Sequence, residues 1–493
     1  MSRTRVLPGK HGRRTFLRTA AAAAPLLWTG APAILRAAAG KPTDVRIEQV
    51  TFGFEDFAYR TPIKFGGNVV DRVTLLNVTC RVKTRDGRSG AGTGSMPMGN
   101  VWAWPSKQLS YDQTLDAMKA LATRVKTLME GYGQTQHPVD IAWALESEYV
   151  KAADAVIKAG KLPEAMPKLC ALVTASPFDA ALNDAFGRVH GVSTYRTYGI
   201  DFMTHDLSRY LGKDFRGEYL DRYVQPTPKP RMPLYHLVGA LDPIEDADVQ
   251  KRIGDGLPET LPEWIRHNGL THIKIKLNGS DLDWDVERVV RVDRVTAATQ
   301  QPRGVAEWVY SLDFNEKAPN EQYLLDFLAR VKQRSAAAYD RVQYVEQPTA
   351  RDLRANPANV MHAAARLKPV VADESITDPD SLLLARERGY SGAALKACKG
   401  QSQALLIGAM AQKHQLFLCV QDLTCPGASL VHSASLSAHV PGVSGIEANA
   451  RQYVPAANKG WEKTYPGLFT FTDGTVDTSI LKGPGLSTPP PSA

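Results

Sequence analysis

The chain of 493 residues is 43% hydrophobic, so it is long enough to form one large domain with a buried core and a smaller domain beside it. Its formal charge of +8 comes from the N-terminus, because residues 1–39 contain seven of the 59 lysines and arginines and none of the 51 acidic residues. The remainder is nearly neutral, which excludes a nucleic-acid partner bound through a basic surface. The five scattered cysteines exclude a disulfide framework and a zinc site.

Residues 1–39 have the pattern of an export signal. Arg13-Arg14-Thr15-Phe16-Leu17 precedes a weakly apolar, alanine-rich stretch from Ala20 to Leu35, and Ala37-Ala38-Ala39 supplies a small-residue cleavage site. The segment resembles a twin-arginine signal, which implies the twin-arginine export machinery as a partner and a periplasmic or other extracytoplasmic location. Two prolines interrupt the apolar stretch, so we expect no stable membrane span after processing. A basic tail with a chance Arg-Arg pair is the alternative.

Residues 44–175 are predicted to form a small α+β domain. Three antiparallel strands are expected at 45–54, 72–84 and 89–93, and an amphipathic helix at 111–130. The segments 55–69 and 95–105 are predicted to be loops. Trp102 and its aromatic neighbours in these loops indicate a lid over a partly apolar substrate, with packing against a rim as the alternative.

Short apolar runs then alternate with helical patterns from residue 176 to 455. Strands are predicted at 271–277, 309–315, 342–348, 370–375, 392–396, 416–422 and 445–450, and helices at 285–298, 322–332, 360–367 and 381–388. Parallel strands joined by crossover helices close into a (β/α) barrel of the TIM type, so the fold class is α/β with an N-terminal α+β capping domain. Residues 456–493 are expected to return to the cap and to end, from Gly483, in a disordered proline-rich tail.

Charged residues stand at the ends of five of these predicted strands. They are Lys274, Lys276, Asp313, Glu346, Asp373 and Lys396. Carboxyl ends of barrel strands meet at one mouth, so these side chains are expected to converge there. Three carboxylates from adjacent strands suit a hard dication such as Mg²⁺, with Mn²⁺ as the alternative. A metal between lysines can bind a substrate carboxylate while one lysine removes the proton α to it.

At these residues the chain resembles the enolase superfamily, and within it the mandelate racemase and muconate lactonizing enzyme-like members that carry a lysine on each face of the substrate. The resemblance covers about residues 44 to 455. It implies that Lys276 is the base, Lys274 its orienting partner, and Lys396 the acid or base on the opposite face. The lysines are expected to have lowered pKa values, so that one can start as the neutral base.

The same resemblance implies a metal site. Its ligands would be Asp313, Glu346 and Asp373, with Asn315 and Glu374 behind them. Each of these short motifs alone is commonly a turn or a helix cap, and only their ordered combination indicates a metal.

The last two predicted strands bear on specificity. The seventh, 416–422, offers no histidine, which favours two-lysine chemistry over the histidine-dependent dehydratases. The eighth carries Glu447 and Asn449 where dipeptide epimerases of the family have an Asp-x-Asp pair. Predicted substrate contacts are Glu447, Asp422 and Trp102, and the alternative for Asp422 is capping of the following helix.

We therefore expect an exported, Mg²⁺-dependent enzyme that removes the α-proton of a small carboxylate to form an enediolate. A racemase or epimerase acting on a small carboxylate or amino-acid derivative is favoured, because paired lysines suit a 1,1-proton transfer. A cycloisomerase, an acid-sugar dehydratase and a non-catalytic secreted binding homologue remain as alternatives. Oligomers are common in the resembled family, so a homo-oligomer is compatible with the sequence.

Overall fold

The computed structural model describes residues 40–65 and 68–490, so the predicted export signal lies outside the described residues. The strands are β1 (Val45–Phe65), β2 (Asn68–Thr84), β3 (Ser89–Pro97), β4 (Arg231–Val238), β5 (His272–Lys276), β6 (Val309–Asp313), β7 (Val342–Glu346), β8 (Val370–Ala372), β9 (Gly392–Leu395), β10 (Phe417–Val420), β11 (Val443–Glu447) and β12 (Thr475–Asp477). The α-helices are α1 (Asn100–Ala103), α2 (Tyr111–Glu130), α3 (Pro138–Gly160), α4 (Lys168–Val189), α5 (Ser208–Leu211), α6 (Leu261–Asn268), α7 (Leu282–Gln300), α8 (Glu321–Arg334), α9 (Ala336–Arg341), α10 (Pro379–Glu387), α11 (Gln401–Lys413), α12 (Ala428–His439), α13 (Ala450–Tyr453) and α14 (Trp461–Thr464).

The N-terminal cap is an antiparallel sheet in the order β1-β2-β3, against which α2 and α4 pack. Glycines in β3 let α4 approach closely: a Cβ on Gly92 would lie 2.1 Å from the backbone nitrogen of Ala185, and one on Gly94 would lie 1.9 Å from the backbone oxygen of Pro177. The sheet and helix therefore meet backbone to backbone at these positions. Helix α4 runs across the predicted boundary at residue 175, so the connection from cap to barrel is itself part of the cap packing.

The predicted loop at 55–69 is wrong, because β1 continues to Phe65 and β2 begins at Asn68, and the two strands pair along this segment. Phe57 pairs with Val73 and Ile63 with Val70. Arg60, in the distal part of this hairpin, donates from Nε to Asp255 Oδ2 at 2.5 Å. The hairpin therefore reaches the barrel, whose side chains stabilise strand pairing that local sequence alone does not favour.

The predicted TIM-type barrel is confirmed. Strands β4 to β11 are parallel neighbours in chain order, and pairing of β11 with β4 closes the ring of eight, while β12 adds antiparallel to β4. The register aligns site residues directly, since Lys276 is opposite Asp313 and Asp313 is opposite Glu346. Charged side chains from successive strands therefore share one level at the mouth of the barrel.

One predicted helix is wrong. Residues 360–367 form turns with a single 3-10 turn at Ala364–Arg366. The amide of Met361 donates to the carbonyl of Arg388 at 2.7 Å, so a contact outside the segment holds its start. Pro369 follows closely and leaves too few residues for a helix to extend.

The C-terminal segment returns to the cap, but residues 483–490 are packed and not disordered as expected. Leu486 is buried, and its amide donates to Asp184 Oδ1 at 2.7 Å. Thr488 Oγ1 lies 3.1 Å from Thr93 Oγ1 of the cap sheet. The buried carboxylate of Asp184 gives the tail a specific partner that its composition does not reveal. Residues 491–493 lie outside the described residues.

Between residues 40 and 490, apart from 66 and 67, no helix is long and apolar enough to cross a membrane.

Candidate active site

A small cavity at the carboxyl ends of the barrel strands brings the predicted site residues together. Its volume is about 10 Å³, which is room for about one water molecule. The predicted residues that line it are Trp102, Lys274, Lys276, Asp313, Asn315, Glu346, Asp373, Glu374, Lys396, Asp422 and Glu447. The strand register explains the convergence, while the individual roles of these residues stay predictions.

Lys274 lies among the carboxylates of the site. Its Nζ is 2.9 Å from Glu346 Oε1, 3.0 Å from Asp313 Oδ2 and 3.2 Å from Glu447 Oε2. It also donates to Gln421 Oε1 at 2.8 Å, a contact across the barrel that sequence reasoning missed. The lysine is 2% exposed, so its charge is balanced by these acids and not by solvent.

Lys276 lies on the same strand two residues later and contacts the carboxylate of Asp313. The other oxygen of Asp313 accepts the backbone amide of Asn315 at 2.8 Å. Asn315 has φ 44°, a left-handed conformation that turns its amide back toward the strand end. The predicted role of Asn315 behind the carboxylate therefore has a structural basis in its backbone.

Two lysines hold Asp373 from the opposite side of the barrel. Lys396 Nζ lies 2.7 Å from Asp373 Oδ2. Lys399 Nζ lies 3.0 Å from Asp373 Oδ1 and 2.5 Å from the carbonyl oxygen of the same residue. Sequence reasoning missed Lys399, although the Lys-x-x-Lys spacing was visible. Residues Ala397–Lys399 form a 3-10 turn, whose three-residue period places Lys399 near Lys396.

Trp102 reaches the site from the cap. Its indole Nε1 donates to Glu374 Oε1 at 2.8 Å, and its ring lies 3.9 Å from Lys396 Nζ. Burial, with the charge of Asp373 nearby, raises the pKa of Glu374 to about 7. Trp102 is 6% exposed and packs at the rim while also lining the cavity, and its role as a lid over a substrate stays a prediction.

The ends of the last two strands are linked by hydrogen bonds. Glu447 accepts from Lys274, from the amide of Asp422 at 3.2 Å and from Asn449 Nδ2 at 2.6 Å. Asp422 accepts the amides of Leu423, Cys425 and Asn449 at 2.8, 2.7 and 2.6 Å. Asp422 thus binds backbone amides of the loops around it and not those of the following helix α12, whose N-terminus has no side-chain cap, so its carboxylate has little capacity left for a substrate ammonium.

The expected lowering of the lysine pKa values is wrong for Lys274 and Lys396. Burial lowers the pKa of Lys274, but the charges of Asp313 and Glu346 outweigh it and hold the pKa well above its ordinary value. At Lys396 burial also lowers the pKa, but the negative charge of Asp373 outweighs burial and raises the pKa above its ordinary value. The partners respond in the opposite sense: burial raises the pKa of Asp373, and Lys396 and Lys399 together lower it to about 2.

The donor set fits a hard dication by its chemistry. Asp313, Glu346 and Asp373 supply only oxygen ligands, and Glu346 Oε2 is buried without a hydrogen-bond partner in the described part of the chain. In residues 40–65 and 68–490, however, no three acidic, histidine or cysteine side chains surround one point in a metal-binding arrangement. Lysine ammoniums already contact these acids, because Lys274 lies beside Asp313 and Glu346 while Lys396 and Lys399 lie beside Asp373.

Comparison with known families identifies the barrel. Residues 257–491 match the model of the family described as "Enolase C-terminal domain-like". This segment is an enolase-superfamily domain. The match spans the strands that carry the lysines and the carboxylates, so the resemblance inferred from those residues is confirmed.

Solved structures of this superfamily share the fold at low identity. Muconate lactonizing enzyme from Pseudomonas fluorescens, complexed with muconolactone, is 18% identical with a TM-score of 0.56, covering 91% of this chain and 97% of that one. The L-Ala-D/L-Glu epimerase from Bacillus subtilis is 15% identical with a TM-score of 0.57, covering 90% and 98%. An enolase from Bradyrhizobium complexed with magnesium and mandelic acid is 17% identical with a TM-score of 0.55, covering 90% and 96%. No curated protein sequence matches the chain.

Proposed function

We propose that this enolase-superfamily protein is a Mg²⁺-dependent racemase or epimerase of a small carboxylate, including amino-acid derivatives. The observation that carries the proposal is the placement of lysines on opposite sides of one acidic cavity. Lys276 ends β5 and Lys396 follows β9, and these strands are four apart in a ring of eight. A substrate carbon between them would have one lysine toward each face.

The coarse class follows from the family: the chain is an isomerase or lyase of the enolase superfamily. The finer reaction is the proposal. Solved relatives of the same fold include an epimerase of L-Ala-D/L-Glu and an enzyme complexed with muconolactone, so the fold accommodates more than one outcome. The paired lysines favour proton removal and return at one carbon.

The chain's own residues can divide the work. Lys276, deprotonated, would remove the α-proton, and Lys274, held cationic by Glu346 and Asp313, would orient it and stabilise negative charge on the substrate carboxylate. Lys396 would return a proton on the other face. The cap side chain Trp102 would exclude water from the reacting carbon, because a buried enediolate is otherwise quenched by solvent.

Asp313, Glu346 and Asp373 would hold the metal. Bound Mg²⁺ would supply positive charge against the substrate carboxylate and would compete with the lysine ammoniums for these three acids. Magnesium in the Bradyrhizobium relative supports the choice of ion for this fold. Mn²⁺ would satisfy the same oxygen ligands.

Cycloisomerisation and dehydration remain alternatives, because both can proceed through the same enediolate. A dehydratase that uses a histidine on the seventh strand is disfavoured, because neither β10 nor the residues Gln421 and Asp422 after it include one. A binding protein without turnover is disfavoured by the two lysine groups, since a binder needs neither a base nor an acid.

We also propose that the protein is exported by the twin-arginine pathway and acts outside the cytoplasm. The support is the Arg13-Arg14 pair with its apolar stretch and the Ala37-Ala38-Ala39 site. Replacing both arginines with lysine should retain the protein in the cytoplasm, as measured by fractionation. An unchanged distribution would overturn the proposal, and the N-terminal mass of the exported form reports cleavage.

Solvent-deuterium exchange tests the catalytic proposal directly. Purified protein with Mg²⁺ would be incubated in D₂O with pooled small carboxylates and dipeptides, and ¹H NMR would report loss of α-proton signal. Wild type should exchange at least one compound, while Lys276→Ala and Lys396→Ala should each abolish exchange from one face. Lys251→Ala, at an exposed lysine, is the matched control and should exchange normally. Exchange that survives both site variants contradicts the roles given to the lysines.

A further inference from the structure

A second cavity lies outside the candidate active site. Its volume is about 430 Å³, and it is lined by residues of α6, by Arg451 of α13 and by the segment that follows, including Phe471. It shares no lining residue with the cavity at the barrel mouth. Whatever it binds therefore makes contacts that the proposed reaction does not use.

Arg451 is the unusual residue of this cavity. The side chain is 9% exposed, and its guanidinium lies 4.9 Å from the ring centre of Trp264 and 5.6 Å from that of Phe471. Its polar contact is from Nη2 to His236 Nδ1 at 2.6 Å. Among the residues that the structure describes, no carboxylate lies within 4 Å of it, and its Nε and Nη1 have no hydrogen-bond partner.

A buried guanidinium without a counter-ion is costly. Desolvation of a charge is not repaid by aromatic rings and one neutral imidazole, and burial lowers the pKa of Arg451 to about 9. Buried unsatisfied donors in folded proteins usually indicate a ligand, an ion or ordered water. Each unpartnered nitrogen forms one bidentate edge of the guanidinium with Nη2, so a carboxylate can accept from one of them together with the second hydrogen of Nη2.

A second orphaned group lines the same cavity. Asn268 donates from Nδ2 to the carbonyl of Phe471 at 2.9 Å, but its buried Oδ1 accepts no hydrogen bond from any described residue. The asparagine is 3% exposed. An acceptor and a pair of donors in one cavity call for a ligand that carries both an anion and a hydrogen-bond donor.

The rim sets the charge of that ligand. Lys459 and Glu462 both line the cavity and are exposed, so their charges offset each other and leave the single charge of Arg451. Apolar rings line the cavity, since Trp264 and Phe471 are both buried and both lie near the guanidinium. A monoanion with an apolar body matches this lining better than a phosphate with two charges.

We propose that this cavity binds a monoanionic carboxylate with an aromatic or other apolar body, in which the carboxylate pairs with Arg451 and the body lies against Trp264 and Phe471. A hydroxyl or amino group on the ligand would satisfy Asn268 Oδ1. The site is separate from the proposed catalytic function and does not depend on it.

The probe for the test is 4-iodobenzoate, with 4-iodobenzyl alcohol as the uncharged analogue. Calorimetric titration in EDTA would measure affinity, and anomalous scattering from crystals soaked with the probe would locate the iodine. We expect iodine beside Trp264 and weaker binding of the alcohol. Arg451→Met should weaken the binding of 4-iodobenzoate by about tenfold or more, because the charged hydrogen-bonded pair between the guanidinium and the carboxylate is lost. Arg266→Met, at an exposed arginine of helix α6, which also carries Trp264, should bind the probe as wild type does.

The outcomes separate the proposal from its competitors. Iodine found only at the barrel mouth or only at lattice contacts overturns it, as does equal binding by folded Arg451→Met. If that variant does not fold, Arg451→Lys decides, since lysine keeps the charge but lacks the planar fork. Weakening by about tenfold in Arg451→Lys supports the site, and unchanged affinity overturns it.

Discussion

The ammonium nitrogen of Lys396 lies 3.9 Å from the centre of the Trp102 ring, so the cap contacts the lysine assigned to the far face of the substrate. The ring is oriented by its hydrogen bond to Glu374 at 2.8 Å. A cation over an aromatic face is stabilised in its charged form. Packing of Trp102 against Lys396 therefore favours the protonated lysine, which is the form that the proposed mechanism requires for returning a proton.

Substitutions of Trp102 should separate the two contacts. Trp102→Phe keeps a ring over Lys396 but loses the donor to Glu374, and Trp102→Leu loses both. We expect kcat to fall by a few-fold in the first variant and by about tenfold or more in the second, given the usual size of these interactions. The measurement is the rate of α-proton exchange at saturating substrate, recorded as a function of pH for each variant. Trp284→Leu, at a residue 38% exposed, is the control, and equal losses in all three variants would contradict the assignment.

Lys399 should stabilise the fold through Asp373. Lys399→Met removes the two hydrogen bonds that Nζ donates to the buried carboxylate and the carbonyl oxygen of Asp373, so we expect the free energy of unfolding to fall by about 3 kcal/mol in Mg²⁺-free protein. Urea denaturation measures it. Lys413→Met, which removes a lysine 2.8 Å from Glu218 at the surface, should cost no more than about 1 kcal/mol.

A double-mutant cycle tests the pairing itself. Asp373→Asn should cost less when Lys399 is already methionine than in wild type, because the partner charge is gone. Additive costs would mean that the contact at 3.0 Å contributes no coupling.

Mg²⁺ should stabilise the protein through Glu346 and not through Glu447, although both carboxylates contact Lys274. At about 100 times its Kd, Mg²⁺ should add about 3 kcal/mol to the free energy of unfolding by mass action. Thermal unfolding with Mg²⁺ or EDTA should show this shift in wild type and Glu447→Gln and a much smaller one in Glu346→Gln. No shift in wild type, or equal shifts in both variants, would contradict the ligand assignment.

His432 should contribute to loss of stability in acid. It is 1% exposed, neither ring nitrogen has a described hydrogen-bond partner, and burial lowers its pKa to about 3. In the unfolded chain His432 binds a proton below about pH 6.5, whereas in the folded chain it stays neutral down to about pH 3. The free energy of unfolding therefore decreases as the pH falls from about 6.5 toward 3. At pH 5 the loss is about 2 kcal/mol.

The substitution His432→Leu should remove that loss. Its free energy of unfolding, relative to wild type, should rise by about 2 kcal/mol between pH 7 and pH 5, as measured by denaturation at both values. Ser433→Ala on the same helix changes no titrating group and should leave the pH dependence as it is in wild type. A parallel pH profile for His432→Leu would show that His432 does not carry the effect.

The amino-acid sequence by itself predicted the barrel, the family resemblance and the charged residues that meet at the barrel mouth. A charged residue at the end of an apolar run falls at a strand's carboxyl end, and parallel strands in chain order bring those ends together, so Lys276, Asp313 and Glu346 had to be neighbours. The twenty-residue helix at Tyr111–Glu130 followed from its amphipathic periodicity.

Only the tertiary structure decided the contacts between segments far apart in the chain. Pairing of Trp102 with Glu374, of Lys274 with Gln421 and of Arg451 with Trp264 depends on how the cap, opposite strands and the C-terminal segment pack. The same is true of the long cap hairpin and of the ordered tail beside Asp184. Local patterns report which face of an element is buried, but not which distant side chain meets it there.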